Sequence, residues 1–297
     1  MSLWIRLVVL SFGLLSTSAI AQQPPNPVAQ AKDLDFPSTL TSLSAFSSPR
    51  MALLKPDGAG PFPALVLHHQ CGGLRNGQWQ NQSMVDWTRA AVRRGYVVLL
   101  LDSLGPRGVD MVCKGPKGGV HLGRGVRDAL QAAEHLRKLE FVDKKRIAHV
   151  GFSWGAMVAL LANSRSFRNY QGNLEGFAAY VSFYPGCFTI RPTVAPPYEV
   201  VRNDMEHPHL ELMADKDVET PAAECIPKLS AAKTSGSPVE WHVYSNVTHC
   251  WDCSNLDGFS KVDFRGTRVV YRYDRSATSD SQTRMFAFLK KMPTSTP

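Results

Sequence analysis

Between two apolar runs the chain reads Val150-Gly151-Phe152-Ser153-Trp154-Gly155-Ala156. A serine with glycine two residues before and two after it suits a nucleophile on a sharp turn, where strand and helix approach too closely for Cβ atoms. Such a turn pushes the hydroxyl out above a sheet edge. The helix behind it aims its first N–H groups at charge that develops there. A serine acting only as a helix cap needs no second glycine. A serine hydroxyl is a poor nucleophile unless a base takes its proton, and the base needs an acid to orient it. In strand–turn–helix sites the acid and then the histidine follow the serine along the chain. “HLELMADKDVETP” offers Asp215 and Asp217 after a predicted strand, and “VEWHVYSNVTHCWD” offers His249 in the loop after a later one. His242 falls inside that strand and reads as a wall residue. Asp252 lies too near His249 in sequence for the usual arrangement. The chemistry this set suits is acyl transfer, with attack of Ser153 on a carbonyl carbon.

These residues need a scaffold that brings them together. “PFPALVLHH”, “YVVLLLD”, “RIAHVGF”, “FAAYVSFYPG” and “HLELMA” are apolar without polar alternation. They predict strands covered on both faces, hence a parallel sheet. “WQNQSMVDWTRAAVRRG” has helical spacing and ends in Gly95, which fits a helix terminus. “VRDALQAAEHLRKL” places Val126, Leu130, Ala133 and Leu136 on one helical face. Further helices are predicted at “WGAMVALLANS”, from about Ala222, and at “SDSQTRMFAFLKKM”. Strands alternating with helices predict an α/β fold with a mostly parallel central sheet and helices on both faces. “TLTSLSAF” and “RMALLKP” predict a first pair of strands, and “SLGPRGVDMVCKGPKGG” predicts loop. With no internal repeat and no linker, residues 39–297 read as one domain. Residues 22–38, rich in Pro and Gln, read as a loose leader. Residues 1–21 read as a secretory signal: Arg6, a short apolar run, and Ala19-Ile20-Ala21 for cleavage. The run is too short for a membrane span. The expectation is an exported protein, periplasmic or extracellular, with no stable membrane insertion after cleavage.

“PFPALVLHHQCGGL”, “LLLDSLGPRG”, “VGFSWGA”, “LMADKDVETPAAEC” and “VYSNVTHCWD”, in that order, resemble the dienelactone hydrolase family of α/β-hydrolases. The resemblance runs from about Arg50 to the final helix. It implies the α/β-hydrolase fold with Ser153 as nucleophile, where some members carry Cys. The family's Gly-x-x-Asp motif with Thr-Pro following implies Asp217 as the acid, with Ala214 replacing the glycine, and the family histidine falls on His249. The family's His-Gly-Cys-Gly-Gly loop reads His69-Gln70-Cys71-Gly72-Gly73 here. It implies an oxyanion hole from the backbone N–H groups of Trp154 and Cys71. Gln70 departs from the pattern, either adding a donor or narrowing the site. The implied reaction is hydrolysis of a small-molecule ester or lactone, a serine favouring ordinary esters, with no metal or organic cofactor.

Trp79, Trp154, Tyr184 and Trp251 fall near loops at the carboxyl end of the sheet, where they can line an acyl or aromatic pocket. Arg107 either meets a substrate carboxylate or braces its own loop. An even count of six cysteines in an exported chain suggests disulfides. Strand-end positions favour Cys71–Cys113 and Cys187–Cys225, and Cys250–Cys253 can close locally beside His249. A thiol–disulfide redox role for Cys250 and Cys253 is a rival reading, although a redox CxxC normally opens a helix, and “HCWDCSNLDGFS” is a weak one. A second rival is a non-catalytic binding protein on a hydrolase scaffold. The formal net charge is +8, but Lys and Arg are scattered among acids, which reads as a solvated surface with no nucleic-acid partner. His207-Pro208-His209 and His68-His69 resemble metal pairs only superficially: the first runs into a predicted strand, and adjacent side chains such as His68 and His69 point to opposite faces of one.

Overall fold

The computed structural model describes residues 31–172, 174–193 and 195–293. The signal predicted over 1–21 lies outside the described residues. Seven segments share one sheet: β1 (Ala52–Leu54), β2 (Phe62–His68), β3 (Val97–Leu101), β4 (Val142–Phe152), β5 (Ala179–Phe183), β6 (His209–Ala214) and β7 (Val239–Tyr244). Their spatial order is β1-β3-β2-β4-β5-β6-β7. β1 runs antiparallel to β3, and every other neighbouring pair is parallel. All residues of β3, β5 and β6 are buried, as continuous apolar sequence requires of strands covered on both faces.

The covers are α1 (Gln82–Arg93), α2 (Leu122–Arg137), α3 (Trp154–Asn163), α4 (Arg165–Asn169), α5 (Ala222–Thr234) and α6 (Arg275–Leu289). Alternation along the strands divides the core into two layers. Val97, Leu99 and Leu101 pack with Leu130 of α2, Val158 of α3 and Leu229 of α5. Val98 and Leu100 pack with Val85 of α1 and Phe286 of α6. The chain leaves α1 through Gly95 at φ +87°, a left-handed conformation that suits glycine.

Two expectations need correction. “TLTSLSAF” does not form a strand. Its contribution is a single bridge from Leu40 to Leu53, because the segment turns at 43–45 before it can extend. Nor is all of 22–38 loose. Within its described part, Leu34 is buried in the core layer under α2, and Asp33 sits 2.7 Å from the Arg124 guanidinium. A hairpin that the sequence reading missed pairs Ser260–Val262 with Arg268–Val270. The strand ends matter most for function. β2, β4, β5, β6 and β7 are parallel, so the loops carrying Cys71, Ser153, Tyr184, Asp217 and His249 all leave from the same rim.

Candidate active site

Ser153 joins β4 to α3 at φ 50° and ψ −106°, a backbone conformation that costs a non-glycine residue energy. A Cβ on Gly151 would stand 2.0 Å from the carbonyl oxygen of Gly155, and one on Gly155 would stand 2.4 Å from that of His68. Both glycines are therefore dictated by the backbone path. Ser153 N–H donates to Phe183 O at 2.9 Å, and Gly155 N–H donates to His69 O at 3.2 Å. The second bond fixes the His69–Gly73 loop beside the turn. Among the described residues, no backbone carbonyl accepts from the N–H of Cys71 or of Trp154. Both donors remain available to an oxyanion.

The candidate base and acid meet the serine from the neighbouring loops. His249 Nε2 lies 3.2 Å from Ser153 Oγ, and His249 Nδ1 lies 2.6 Å from Asp217 Oδ2. All three residues are buried, Ser153 being the most exposed at 7%. Asp217 is anchored from its own loop. The N–H groups of Glu219 and Thr220 each donate to Oδ1 at 2.9 Å, and Thr220 Oγ1 donates to Oδ2 at 2.8 Å. Asp215, the other candidate acid, instead accepts the Asn246 N–H at 2.7 Å on the outside of the loop. Burial opposes charge on His249, but the carboxylates of Asp217 and Glu219 outweigh it and hold its pKa above the ordinary imidazole value. Such an arrangement can draw the proton from Ser153 and stabilise the imidazolium that results.

The aromatic and polar residues expected around a pocket divide. Tyr184 belongs to the site: its ring lies 4.6 Å from that of His249. Its hydroxyl donates to Asp252 Oδ1 at 2.8 Å and accepts from Gln70 Nε2 at 3.1 Å. Gln70 is thus not a free donor. Asn81 Nδ2 donates to its Oε1 at 2.5 Å, and the side chain braces the His69–Gly73 loop against Tyr184. Trp79 lies over that loop: a Cβ on Gly72 would meet its ring at 3.4 Å. Trp154 stacks on His69 with ring centroids 5.9 Å apart, so its side chain is engaged in packing. Trp251 is no pocket wall. It is fully buried, packed edge-on against Tyr184, because the “HCWD” turn folds back under β7. Arg107 is also removed from the pocket. Its guanidinium makes a two-pronged bond to buried Asp128 at 2.7 and 2.8 Å and donates to Ser103 O, which braces the loop after β3.

All six cysteines are paired, as Cys71–Cys113, Cys187–Cys225 and Cys250–Cys253. The last bridge directly follows His249. Its sulfurs are buried beside Gln70 and Ser83, and the three-residue turn Ser254–Leu256 supplies no helix to lower a thiol pKa. Asp252 of this segment is held by Trp87 Nε1 at 2.8 Å as well as by Tyr184. Glu219 carries little signal in the sequence. This carboxylate, two residues after the acid, is buried, with Oε2 3.9 Å from His249 Nε2. The only signal was a second acid in “DVET”.

A mostly parallel sheet with a strained Gly-x-Ser-x-Gly turn and its partner loops on one rim defines an α/β-hydrolase. The dienelactone hydrolase family model matches residues 50–293, and the chain belongs to that family. No curated protein matches in sequence. Among solved structures, the chain is similar to a Klebsiella pneumoniae protein assigned as a dienelactone hydrolase, at TM-score 0.59 and 18% identity over 80% of this chain and 91% of that one. It is similar to the propionate-bound esterase Est2 of Thermogutta terrifontis, at TM-score 0.58 and 17% identity over 83% and 90%. A third is P91, a dienelactone hydrolase-like promiscuous phosphotriesterase from metagenomic libraries, at TM-score 0.57 and 18% identity over 79% and 88%. At these identities the likeness is one of fold.

Proposed function

We propose that this hydrolase is an exported serine esterase that cleaves carboxylic esters or lactones through an acyl-enzyme. One observation carries the proposal: His249 bridges Ser153 Oγ and Asp217 Oδ2 at 3.2 and 2.6 Å. In the first step His249 Nε2 takes the Ser153 proton as Oγ attacks the carbonyl carbon. The carbonyl oxygen becomes an anion held by the N–H groups of Cys71 and Trp154. Collapse expels the alcohol, which takes the proton back from His249 and leaves the acyl group on Ser153. A water then gives one proton to His249 as it attacks the acyl carbon; the bond to Ser153 Oγ breaks, Oγ takes that proton from His249, and the acid leaves. In a lactone the leaving alcohol stays tethered to the product. Asp217 keeps the Nδ1–H tautomer in place and offsets the imidazolium charge. No step calls for a metal or organic cofactor. The relatives agree with such chemistry: Est2 has been captured with propionate and also phosphorylated by paraoxon.

Export is supported by the signal-like segment at 1–21 and by three disulfides, which persist in oxidising compartments. No helix among the described residues is long and apolar enough to cross a membrane. The test is turnover of p-nitrophenyl acetate with labelling by a fluorophosphonate. The expected result is loss of both in Ser153→Ala. Turnover that survives the substitution would discard the serine mechanism. A wild-type protein that neither labels nor turns over any ester would favour the binding-protein reading.

A further inference from the structure

We infer that Glu219 is a second carboxylate acting on His249, a positioning residue whose influence is set by Lys261 on the hairpin that covers it. The inference rests on the reading of His249 as the base of this site. The geometry begins with the acid loop. Asp217 approaches the Nδ1 side of the imidazole, while Glu219 Oε2 approaches Nε2, the nitrogen that faces Ser153 Oγ, at 3.9 Å. The two residues are separated by one position and lie on opposite sides of the ring. A proton arriving from Ser153 therefore enters between two carboxylates.

Glu219 is held, not loose. Tyr271 Oη donates to its Oε2 at 2.8 Å, and Lys261 Nζ donates to its Oε1 at 2.7 Å. Lys261 sits on Ser260–Val262 and Tyr271 directly follows Arg268–Val270, so the two tethers come from the two sides of one hairpin. Lys261 also lies 5.3 Å from the centre of the Tyr271 ring, and that ring lies 5.5 Å from the His249 ring. The hairpin is pinned a second time by Arg265, bonded through two nitrogens to Glu224 on α5. A carboxylate this well supported keeps its charge. Burial works against ionisation of Glu219, but His249, Lys261 and Tyr271 hold its pKa below the ordinary glutamate value.

The charged and titratable groups facing His249 are few. Asp217 and Glu219 come from the acid loop, Lys261 and Tyr271 from the hairpin, Tyr184 from the end of β5, and Asp252 from the disulfide turn. Within this set Glu219 favours the imidazolium and Lys261 disfavours it. The pair acts as a counterweight: Glu219 stabilises the cation formed when Ser153 loses its proton, and Lys261 keeps the resting imidazole from holding a proton too tightly. Because Lys261 belongs to the hairpin, lifting the hairpin would strengthen the Glu219 field on the base.

The two charges predict opposite results. The first readout is the pH dependence of kcat/KM on p-nitrophenyl acetate. The second is titration of the His249 imidazole by 15N NMR in the ligand-free protein. Glu219→Gln should move both midpoints to lower pH by about one pH unit. Lys261→Met should move both to higher pH, and the double variant should fall between. A merely packing role would lower activity without separating the two variants along the pH axis. Midpoints that stay where they are, or that move in the same direction in both variants, overturn the inference. Should Glu219→Gln fail to fold, Lys261→Met alone decides: a rise supports the counterweight, and no change removes it. NMR shifts of opposite sign in a protein that turns over no ester would uphold the counterweight and refute the esterase reading instead.

Discussion

Gly151 and Gly155 face each other across the serine turn so closely that a Cβ on the first would stand 2.0 Å from the carbonyl oxygen of the second. The obstacle is backbone, with no flexible side chain to move aside. Gly151→Ala must therefore push β4 and α3 apart at the point where Ser153 is positioned. We expect a loss of at least about 3 kcal/mol in urea unfolding, at or beyond the upper end for overpacked sites. Gly95 makes the control. It has left-handed φ but nothing within 4 Å of an added Cβ. Gly95→Ala should cost only the conformational penalty, about 1 kcal/mol. Equal losses in the two variants would mean that the turn relaxes more easily than this contact implies.

Thr220 separates orientation of the acid from its charge. Its hydroxyl donates to Asp217 Oδ2, and both residues also reach His249 Nδ1, at 3.1 and 2.6 Å. Thr220→Val keeps the shape and the backbone N–H bond to Asp217 but removes the hydroxyl. The expected result is about a fivefold fall in kcat with little change in KM, the worth of one hydrogen bond near 1 kcal/mol. Asp217→Asn should cost about 10⁴-fold, because an amide favours the wrong tautomer of the histidine. Steady-state kinetics on p-nitrophenyl acetate checks both, and similar losses in the two variants would argue that Asp217 acts only through its geometry.

The sequence carried most of this site because its signals are local. The two glycines around Ser153 are demanded by one turn, and the apolar runs before Ser153, Asp217 and His249 announce the strands that carry them. The geometry of Asp217 agrees with the motif, since the loop it closes is built from its neighbours Glu219 and Thr220. What remained illegible depends on distant contacts. Arg107 could be given no firm role from its own segment, because its partner Asp128 lies on α2. Trp251 looks like a pocket aromatic in sequence, and only the fold under β7 shows it to be core. Glu219 gains its meaning from Lys261 and Tyr271, 42 and 52 residues onward, on and just after a hairpin whose short strands are too polar to stand out.

The three disulfides should divide stability and activity unequally. Cys71–Cys113 and Cys187–Cys225 close loops with sequence separations of 42 and 38 residues, whereas Cys250–Cys253 spans 3. On the loop-entropy account the long bridges are worth about 4 kcal/mol each and the short one about 2 kcal/mol or less. Position sets a different order for catalysis: Cys250 immediately follows His249 and Cys71 lends its N–H to the oxyanion, whereas Cys187–Cys225 carries no group of the proposed reaction. Replacing Cys250 and Cys253 together by alanine should lower Tm least of the three pairs yet lower kcat more than replacing Cys187 and Cys225. Thermal unfolding with parallel kinetics on the three double variants checks this. If loss of Cys250–Cys253 leaves kcat untouched, the packing of Tyr184 against His249 is sufficient to hold the base.

Acid should unfold this protein through histidines that take no part in the reaction. His68 on β2 and His149 on β4 are fully buried, His68 Nδ1 lying 3.3 Å from His149 Nε2, and Ser103 Oγ lies 3.0 Å from His68 Nε2. Burial lowers both pKa values, with repulsion from His69 and His149 adding to the effect at His68 and from His209 at His149, which falls to about 3. In the unfolded chain both return to the ordinary value near 6.5. The unfolded state therefore binds protons first on acidification. Stability is full above about pH 6.5 and is lost progressively below it, for His149 down to about 3, each histidine contributing a slope of about 1.4 kcal/mol per pH unit. His249 works in the opposite sense. Its raised pKa gives stability that is present below the unfolded value and lost as pH rises. Urea midpoints from pH 8 to pH 4 should accordingly fall on the acid side, and His149→Gln should make that fall shallower by the slope of one histidine. An unchanged acid slope in His149→Gln would mean that the folded core admits the proton, so that His149 titrates there much as it does in the open chain.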